Sequence, residues 1–187
     1  MYISLDTEGG GLDTSYSLLT ASFIVFDEHN DCLDSLNLKL KPKDGKYMLS
    51  AEAMAVNRID IVEHDKAAIT YEDGRMLLKN FLLGVKEKYG RLTAMGQHID
   101  FDFDFIFEYL IDENDWLKYV DRRPIDLISI SRFFQIKGLI PKTQILNLQS
   151  LCKYFEIDVD DSITHTADFD TSLNIKLFKK YLSYEIK

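Results

Sequence analysis

The residues best suited to chemistry are acidic side chains in three separated stretches, and the first of these is the pair Asp6 and Glu8 in YISLDTE. Strict alternation of side chains in a strand would put both carboxylates on one face, one pleat repeat apart. Two carboxylates at that separation repel each other unless a cation lies between them, and hard divalent cations prefer oxygen ligands. Alone, the pair is explained as readily by a solvent-facing edge, because the chain has 31 acidic residues.

The second acidic stretch lies in MGQHIDFDFDFIFEYL, residues 95–110. Three aspartates alternate there with phenylalanines, at the point where a predicted strand gives way to a helix: Asp100, Asp102 and Asp104. The aromatic side chains would bury one side of the segment and leave at least one aspartate near the carboxyl end of the strand, where open sheets bind their ligands. For Asp100 and Asp104, stabilisation of a helix N-terminus is the more common explanation.

The third stretch is THTADFDTSLNIKLF, residues 164–178, with His165 just before a predicted helix and Asp170 in its first turns. A stripe at four-residue spacing predicts the buried face of that helix: Phe169, Leu173, Leu177 and Tyr181. Taken alone, His165 is more often a structural polar group at a helix start than a catalyst. A functional interpretation therefore depends on the three stretches meeting in space.

Hydrophobic periodicity predicts the elements that must position these residues. Three antiparallel strands come first, followed by alternating helices and strands, which indicates one mixed sheet covered by helices and a single domain over residues 1–187. The predicted strands are 2–8, 18–27, 32–42, 91–97 and 124–129. The predicted helices are 50–57, 70–89, 101–111, 132–136, 148–155 and 166–184. In the helix 70–89 the apolar pattern places Leu77, Phe81 and Val85 on one face.

In order and spacing, the three stretches resemble the motifs of the DEDDh family of 3′-to-5′ exonucleases, which includes proofreading subunits and ribonuclease T. The resemblance extends over about residues 1–182. It implies a ribonuclease H-like α/β fold with a five-stranded mixed sheet of order 3-2-1-4-5. It also implies that Asp6, Glu8, Asp102 and Asp170 bind two divalent metal ions, Mg²⁺ or Mn²⁺, and that His165 is the general base.

The sequence departs from the family pattern at two places that concern substrate binding. Glycines occupy residues 9–11, where relatives often carry hydroxyl side chains. Gly10 and Gly11 would let backbone amides approach a terminal nucleotide, or they form a flexible turn; Leu12 stands where relatives often place an apolar side chain against the 3′-terminal base. His98 replaces the usual asparagine of the second motif, as a substrate contact or a core histidine.

The net charge and the positions of the lysines indicate whether the protein could bind a nucleic acid. A formal charge of −9 argues against a polyanionic ligand, although carboxylates that hold metal ions weaken that objection. One basic cluster lies in and after the third strand, and it is either a rail for a phosphate backbone or the solvated protection of an edge strand: Lys39, Lys41, Lys43 and Lys46.

We therefore expect a stand-alone, metal-dependent exonuclease that acts on single-stranded DNA or RNA 3′ ends and releases nucleoside 5′-monophosphates. Two alternatives are a non-catalytic nucleic-acid- or protein-binding domain of the same fold and a phosphohydrolase of small nucleotides. Cys32 and Cys152 show no disulfide or zinc spacing. Without a leader or a long apolar run, we expect a cytoplasmic protein with no membrane association, and the likeness to ribonuclease T makes a homodimer conceivable.

Overall fold

The fold is taken from a computed structural model, which describes residues 1–159 and 166–184. The strands are β1 (Tyr2–Gly9), β2 (Leu18–Phe26), β3 (Cys32–Lys41), β4 (Ile69–Thr70), β5 (Thr93–Gly96) and β6 (Ile125–Asp126). The helices are α1 (Ala51–Asn57), α2 (Ile61–Ala67), α3 (Tyr71–Tyr89), α4 (Ile99–Tyr109), α5 (Glu113–Trp116), α6 (Leu127–Ile136), α7 (Leu148–Tyr154) and α8 (Ala167–Leu182). Among the described residues, no helix combines the length and the apolar character needed to cross a membrane.

The strands form one mixed sheet in the order β4-β3-β2-β1-β5-β6. β1 and β2 pair antiparallel, as do β2 and β3, whereas β5 runs parallel to both β1 and β6. The predicted α/β class and strand order are confirmed, but the described sheet has six strands rather than five. The extra strand, β4, adds two residues parallel to the end of β3, and it is too short to leave a periodic pattern.

The central strand β1 lies between two hydrophobic cores, one on each face of the sheet. Ile3 and Leu5 belong to the core beneath α3 and α4, on one side of the sheet. Tyr2 packs on the other side against Phe178 of α8, with ring centroids 5.7 Å apart. On that second side Ser4 Oγ donates to the Thr171 carbonyl oxygen at 3.2 Å, which fixes α8 along β1.

Two local predictions were wrong for identifiable reasons. The strand expected at 124–129 ends at Asp126, because the Asp126 carboxylate accepts hydrogen bonds from the Ile128 and Ser129 amides and caps α6. Leu77, expected on the buried face of α3, is 42% exposed. The helix instead buries Gly74, Leu78, Leu82 and Val85, since Gly74 lets α3 lie close against β3.

Two glycines of α3 give a matched test of that packing. A Cβ on Gly74 would lie 2.6 Å from Leu40 Cδ2 and 3.2 Å from Leu110 Cδ2, both in buried side chains, whereas a Cβ on Gly84 meets nothing within 4 Å. We predict that Gly74→Ala lowers the free energy of unfolding by about 1–3 kcal/mol through overpacking. Gly84→Ala should raise it by roughly 0.5–1 kcal/mol through helix propensity. Urea denaturation measures both, and stabilisation by Gly74→Ala would contradict the packing described.

Candidate metal centre

Three carboxylates converge where β1 ends. Asp6 and Glu8 point to the face of the sheet that α8 covers, and Asp170 lies in the first turn of that helix. One oxygen from each of the three residues can be chosen so that all lie within 4.8 Å of one another. The first and third acidic stretches of the sequence therefore meet in space, although they are separated by most of the chain.

The second stretch reaches the same point through Asp102. β5 pairs with β1 only from Tyr2 to Ser4, so the amide of Thr7 lies beyond the end of this neighbouring strand. Asp102 of α4 takes the place of a strand partner: its Oδ1 accepts from Thr7 N at 2.8 Å and from Thr7 Oγ1 at 2.7 Å. Its side chain is buried, whereas Asp100 and Asp104 of the same helix are exposed.

Burial raises the pKa of every one of these carboxyls, and repulsion within the cluster adds to the rise at Asp6 and Glu8. The pKa of Asp6 is well above its usual value, first because of burial and then because of the charges of Asp102, Glu8 and Asp170. Burial, reinforced by Asp170 and Asp102, raises the pKa of Glu8 to about 8. Burial also raises the pKa of Asp102 to about 7, against the opposing hydrogen bonds from Thr7, and that of Asp170 to about 6.

The arrangement fits a divalent cation. Among the described residues no lysine, arginine or histidine forms an ion pair with any of the four carboxylates. Asp170 Oδ1 is buried and has no hydrogen-bond partner within residues 1–159 and 166–184, a costly state for a charged oxygen unless a cation satisfies it. The donors are all hard carboxylate oxygens, the ligands that Mg²⁺, Mn²⁺ and Ca²⁺ prefer.

His165, the predicted general base, lies outside the described residues. The described chain resumes at Thr166, which occupies the N-cap position of α8, four residues before Asp170. The role of His165 therefore stays a prediction.

An open cleft of about 450 Å³ adjoins Glu8. Gly11 and Leu12 line it, and Leu12 is 86% exposed. Substrate binding by these two residues stays a prediction. Its opposite wall comes from α1, through Ser50, Ala53, Val56 and Asn57. Sequence analysis assigned no function to α1, because a short helix with a serine cap carries no chemical signature of its own.

The glycine segment after β1 is buried and tied on both sides. Gly10 N donates to Ser17 O at 2.7 Å, and Gly10 O accepts from Ser50 N at 2.6 Å. A Cβ on Gly10 would collide with the Met48 carbonyl oxygen, and one on Gly11 with the Tyr16 ring. Close packing therefore requires these glycines, and the interpretation as a loose turn is wrong. Gly10 lies behind the cleft rather than among its lining residues.

His98 is exposed, so the interpretation as a core histidine is wrong. Its backbone is left-handed, with φ of 58°, and its amide donates to Asp126 Oδ1 at 2.9 Å. Its ring lies nearly parallel to that of Phe101, with centroids 6.4 Å apart. Because Phe101 lines the cleft and His98 does not, a substrate contact by His98 stays a prediction.

Two polar residues that support this site were missed from the sequence. Thr7 holds Asp102 through both its amide and its hydroxyl. A hydroxyl between two motif acids on an otherwise apolar face was the available signal. Asn57 is buried and donates from Nδ2 to the Gly9 carbonyl oxygen at 3.1 Å, and nothing in its sequence context indicated this.

No family model matches the sequence, and the search of curated proteins finds no match. Solved structures do match it. *E. coli* Exonuclease I in complex with a dT13 oligonucleotide gives a TM-score of 0.74 at 16% identity, over 97% of this chain and 41% of that one. A product-bound exonuclease I gives 0.75 at 15% identity, over 96% and 42%. A zinc-bound *E. coli* ExoI–ssDNA complex gives 0.69 at 16% identity, over 95% and 39%.

The chain thus spans about two-fifths of the length of the exonuclease I structures that it matches. At this level of identity the likeness establishes the fold alone. The protein has the ribonuclease H-like fold of these exonucleases, with the acidic cluster at the end of its central strand.

The raised pKa values predict that the metal-free protein loses stability as pH rises. A carboxyl whose pKa is higher in the folded state destabilises that state once pH exceeds its unfolded value of about 4. The loss continues until pH passes the folded value, about 8 for Glu8. In EDTA we expect a melting temperature lower by several degrees at about pH 8.5 than at about pH 5, with Mn²⁺ reversing most of the loss.

The matched variants are Asp6→Asn, within the cluster, and Asp104→Asn, which removes an exposed acid nearby. Asp6→Asn should flatten the pH dependence in EDTA and weaken the response to Mn²⁺, whereas Asp104→Asn should leave both unchanged. If differential scanning calorimetry gave both variants the same change of melting temperature with pH, the clustered charges would not govern the pH dependence of stability.

Proposed function

We propose that this protein is a metal-dependent 3′-to-5′ exonuclease acting on single-stranded nucleic acid. The observation that carries the proposal is the position of the acidic cluster, at the end of the central strand and beside an open cleft. The matched fold supports it, because solved exonuclease I structures with that fold contain single-stranded oligonucleotides. Single-stranded DNA is the substrate that this likeness favours, and RNA is the competing substrate in the test below.

Asp6, Glu8 and Asp170 are proposed to bind the metal, with Asp102 completing the site. Two divalent ions, Mg²⁺ or Mn²⁺, are part of the proposal; when bound they would activate a water and stabilise the oxygen that leaves the phosphodiester. Four carboxylates would balance the charge of two such ions, which also explains how the chain tolerates so many acidic side chains in one place.

The remaining residues position the substrate and move a proton. Thr7 holds Asp102 in one orientation, so that this carboxylate needs no rearrangement before reaction. The cleft has the volume of a small-ligand site, and we assign it to the terminal nucleotide, with Leu12 against the base and the Gly11 backbone beside the sugar. His165 is proposed to take the proton of the attacking water, because a histidine of ordinary pKa, about 6.5, accepts one at neutral pH.

A direct test is a time course on 5′-labelled single-stranded DNA and RNA with Mg²⁺, Mn²⁺ or EDTA. We expect a ladder that shortens from the 3′ end, with nucleoside 5′-monophosphates as products. EDTA should abolish it, and Asp6→Asn should reduce the rate at least about a hundredfold, the scale associated with loss of a key electrostatic group. Asp104→Asn is the matched control and should retain the wild-type rate.

Intact oligonucleotides under every metal condition would contradict the proposal. Hydrolysis of small nucleotides in the same samples would then indicate the phosphohydrolase, and oligonucleotide binding without cleavage would indicate the binding domain. Gel filtration of the active protein tests separately whether it forms a homodimer.

The proposed role of His165 predicts a particular pH profile. Wild-type kcat should rise through the neutral range as the imidazole loses its proton. His165→Ala should lower kcat by about 10²–10⁴-fold and remove that rise, measured at metal concentrations that saturate both proteins. An unchanged pH profile in the variant would show that another group is the base.

A further inference from the structure

The pairing of β1, β2 and β3 places Lys39 in the same cross-strand row as Glu8. Glu8 pairs with Thr20 across β1 and β2, and Thr20 pairs with Lys39 across β2 and β3. Directly paired residues project from the same face of a sheet. The Lys39 side chain therefore leaves the face that carries the carboxylates, about 9.6 Å from Glu8 when counted as two strand spacings.

That face is polar across β2 and β3. The neighbouring row runs from Asp6 through Ser22 to Asn37, and Ser22 Oγ donates to Asn37 Oδ1 at 2.7 Å. Asn37 and Lys39 are exposed, whereas Leu38 and Leu40, on the opposite face of β3, are buried in the core beneath α3. The sheet thus has a hydrophilic strip that extends from the carboxylates to Lys39. The strip is buried or half-buried at Ser22 and Thr20 of β2 and exposed at Asn37 and Lys39 of β3.

Lys39 is also available for a ligand, unlike two other lysines of its cluster. Lys41 Nζ lies 3.6 Å from an Asp65 carboxylate oxygen and donates to the Asp65 carbonyl at 2.8 Å. Lys46 lies 3.8 Å from Asp44. Within residues 1–159 and 166–184, Lys39 forms no ion pair and no side-chain hydrogen bond. Lys43 lies in the turn beyond β3, outside the strip.

The cleft and the strip lie on different sides of the carboxylates. The cleft is bordered by Thr7 and Phe101, which belong to the side of the sheet covered by α4, and by α1. Lys39 lies on the side covered by α8. A strand whose terminal nucleotide fills the cleft and whose last phosphate meets the carboxylates would therefore continue over the strip towards Lys39.

We propose that Lys39 binds a backbone phosphate of the substrate upstream of the scissile one. This inference rests on the proposed exonuclease function and adds a second anchoring point for the nucleic acid. The ammonium is a flexible point charge on a long stem, suited to a phosphate without fixed geometry. Edge protection also accounts for an exposed lysine on β3, so the proposal rests on the register that places Lys39 on the same face as the carboxylates.

The test compares substrates with and without an upstream phosphate. A dinucleotide has only the scissile phosphate, whereas an oligonucleotide of about eight residues, within the range of single-strand binding sites, also covers the strip. We expect Lys39→Gln to raise KM severalfold for the longer substrate and to leave KM for the dinucleotide and kcat for both substrates unchanged. For the longer substrate the salt slope of kcat/KM should fall by about 0.7, the value for one single-strand phosphate contact.

Lys137→Gln is the matched control, because it removes an exposed lysine at the end of α6, away from β3. It should change neither KM nor the salt slope. An equal KM effect of Lys39→Gln on both substrates, or a wild-type salt slope in that variant, would overturn the inference while leaving the exonuclease intact. Absence of cleavage in the wild-type protein would instead overturn the proposed function on which the inference rests.

Discussion

The repulsion among four clustered carboxylates, two of them buried and two half-buried, is the constraint to which the rest of this structure responds. Burial removes the water that would screen Asp6, Glu8, Asp102 and Asp170, and their pKa values rise as a result. A cluster that served stability alone would use apolar or paired residues here, since unpaired buried charge is costly. The fold instead holds the cluster together by packing β1 between two cores, so that α4 and α8 are fixed on opposite faces of it.

The topology of the sheet makes this convergence possible. β5 pairs only with the first part of β1. Further along, on the side that faced β5, the Thr7 amide of β1 is hydrogen-bonded by a side chain of α4 instead of by a strand. The same early end opens the sheet at its carboxyl edge, where α/β proteins characteristically bind ligands. The acidic cluster, the cleft and the hydrophilic strip on β2 and β3 are all consequences of where the neighbouring strands and helices stop.

Local pattern was enough to predict most of the elements, though not α2, α5 or β4, and the residues that could meet. Alternation in β1 separated the apolar side chains from Asp6 and Glu8, and the apolar stripe of α8 placed Asp170 near its start. Sequence could not supply tertiary register. The Thr7–Asp102 hydrogen bonds, the wall that α1 gives to the cleft and the row from Glu8 to Lys39 depend on residues far apart in the chain. β4 and the early end of β6 were missed because two residues are too few for a periodicity.

The most direct test of the account is a titration of the metal-free protein with Mn²⁺, in which free ion is followed by electron paramagnetic resonance. Asp170→Asn is the informative variant. In the described part of the chain, Asp170 Oδ1 is the one buried oxygen of the four carboxylates without a hydrogen-bond partner, and the substitution removes charge without changing shape. The account predicts saturable Mn²⁺ binding to the wild-type protein and a loss of at least about tenfold in affinity in the variant. Wild-type protein that binds no Mn²⁺, or a variant that binds it equally well, would contradict the claim that the carboxylates are held together as a metal site.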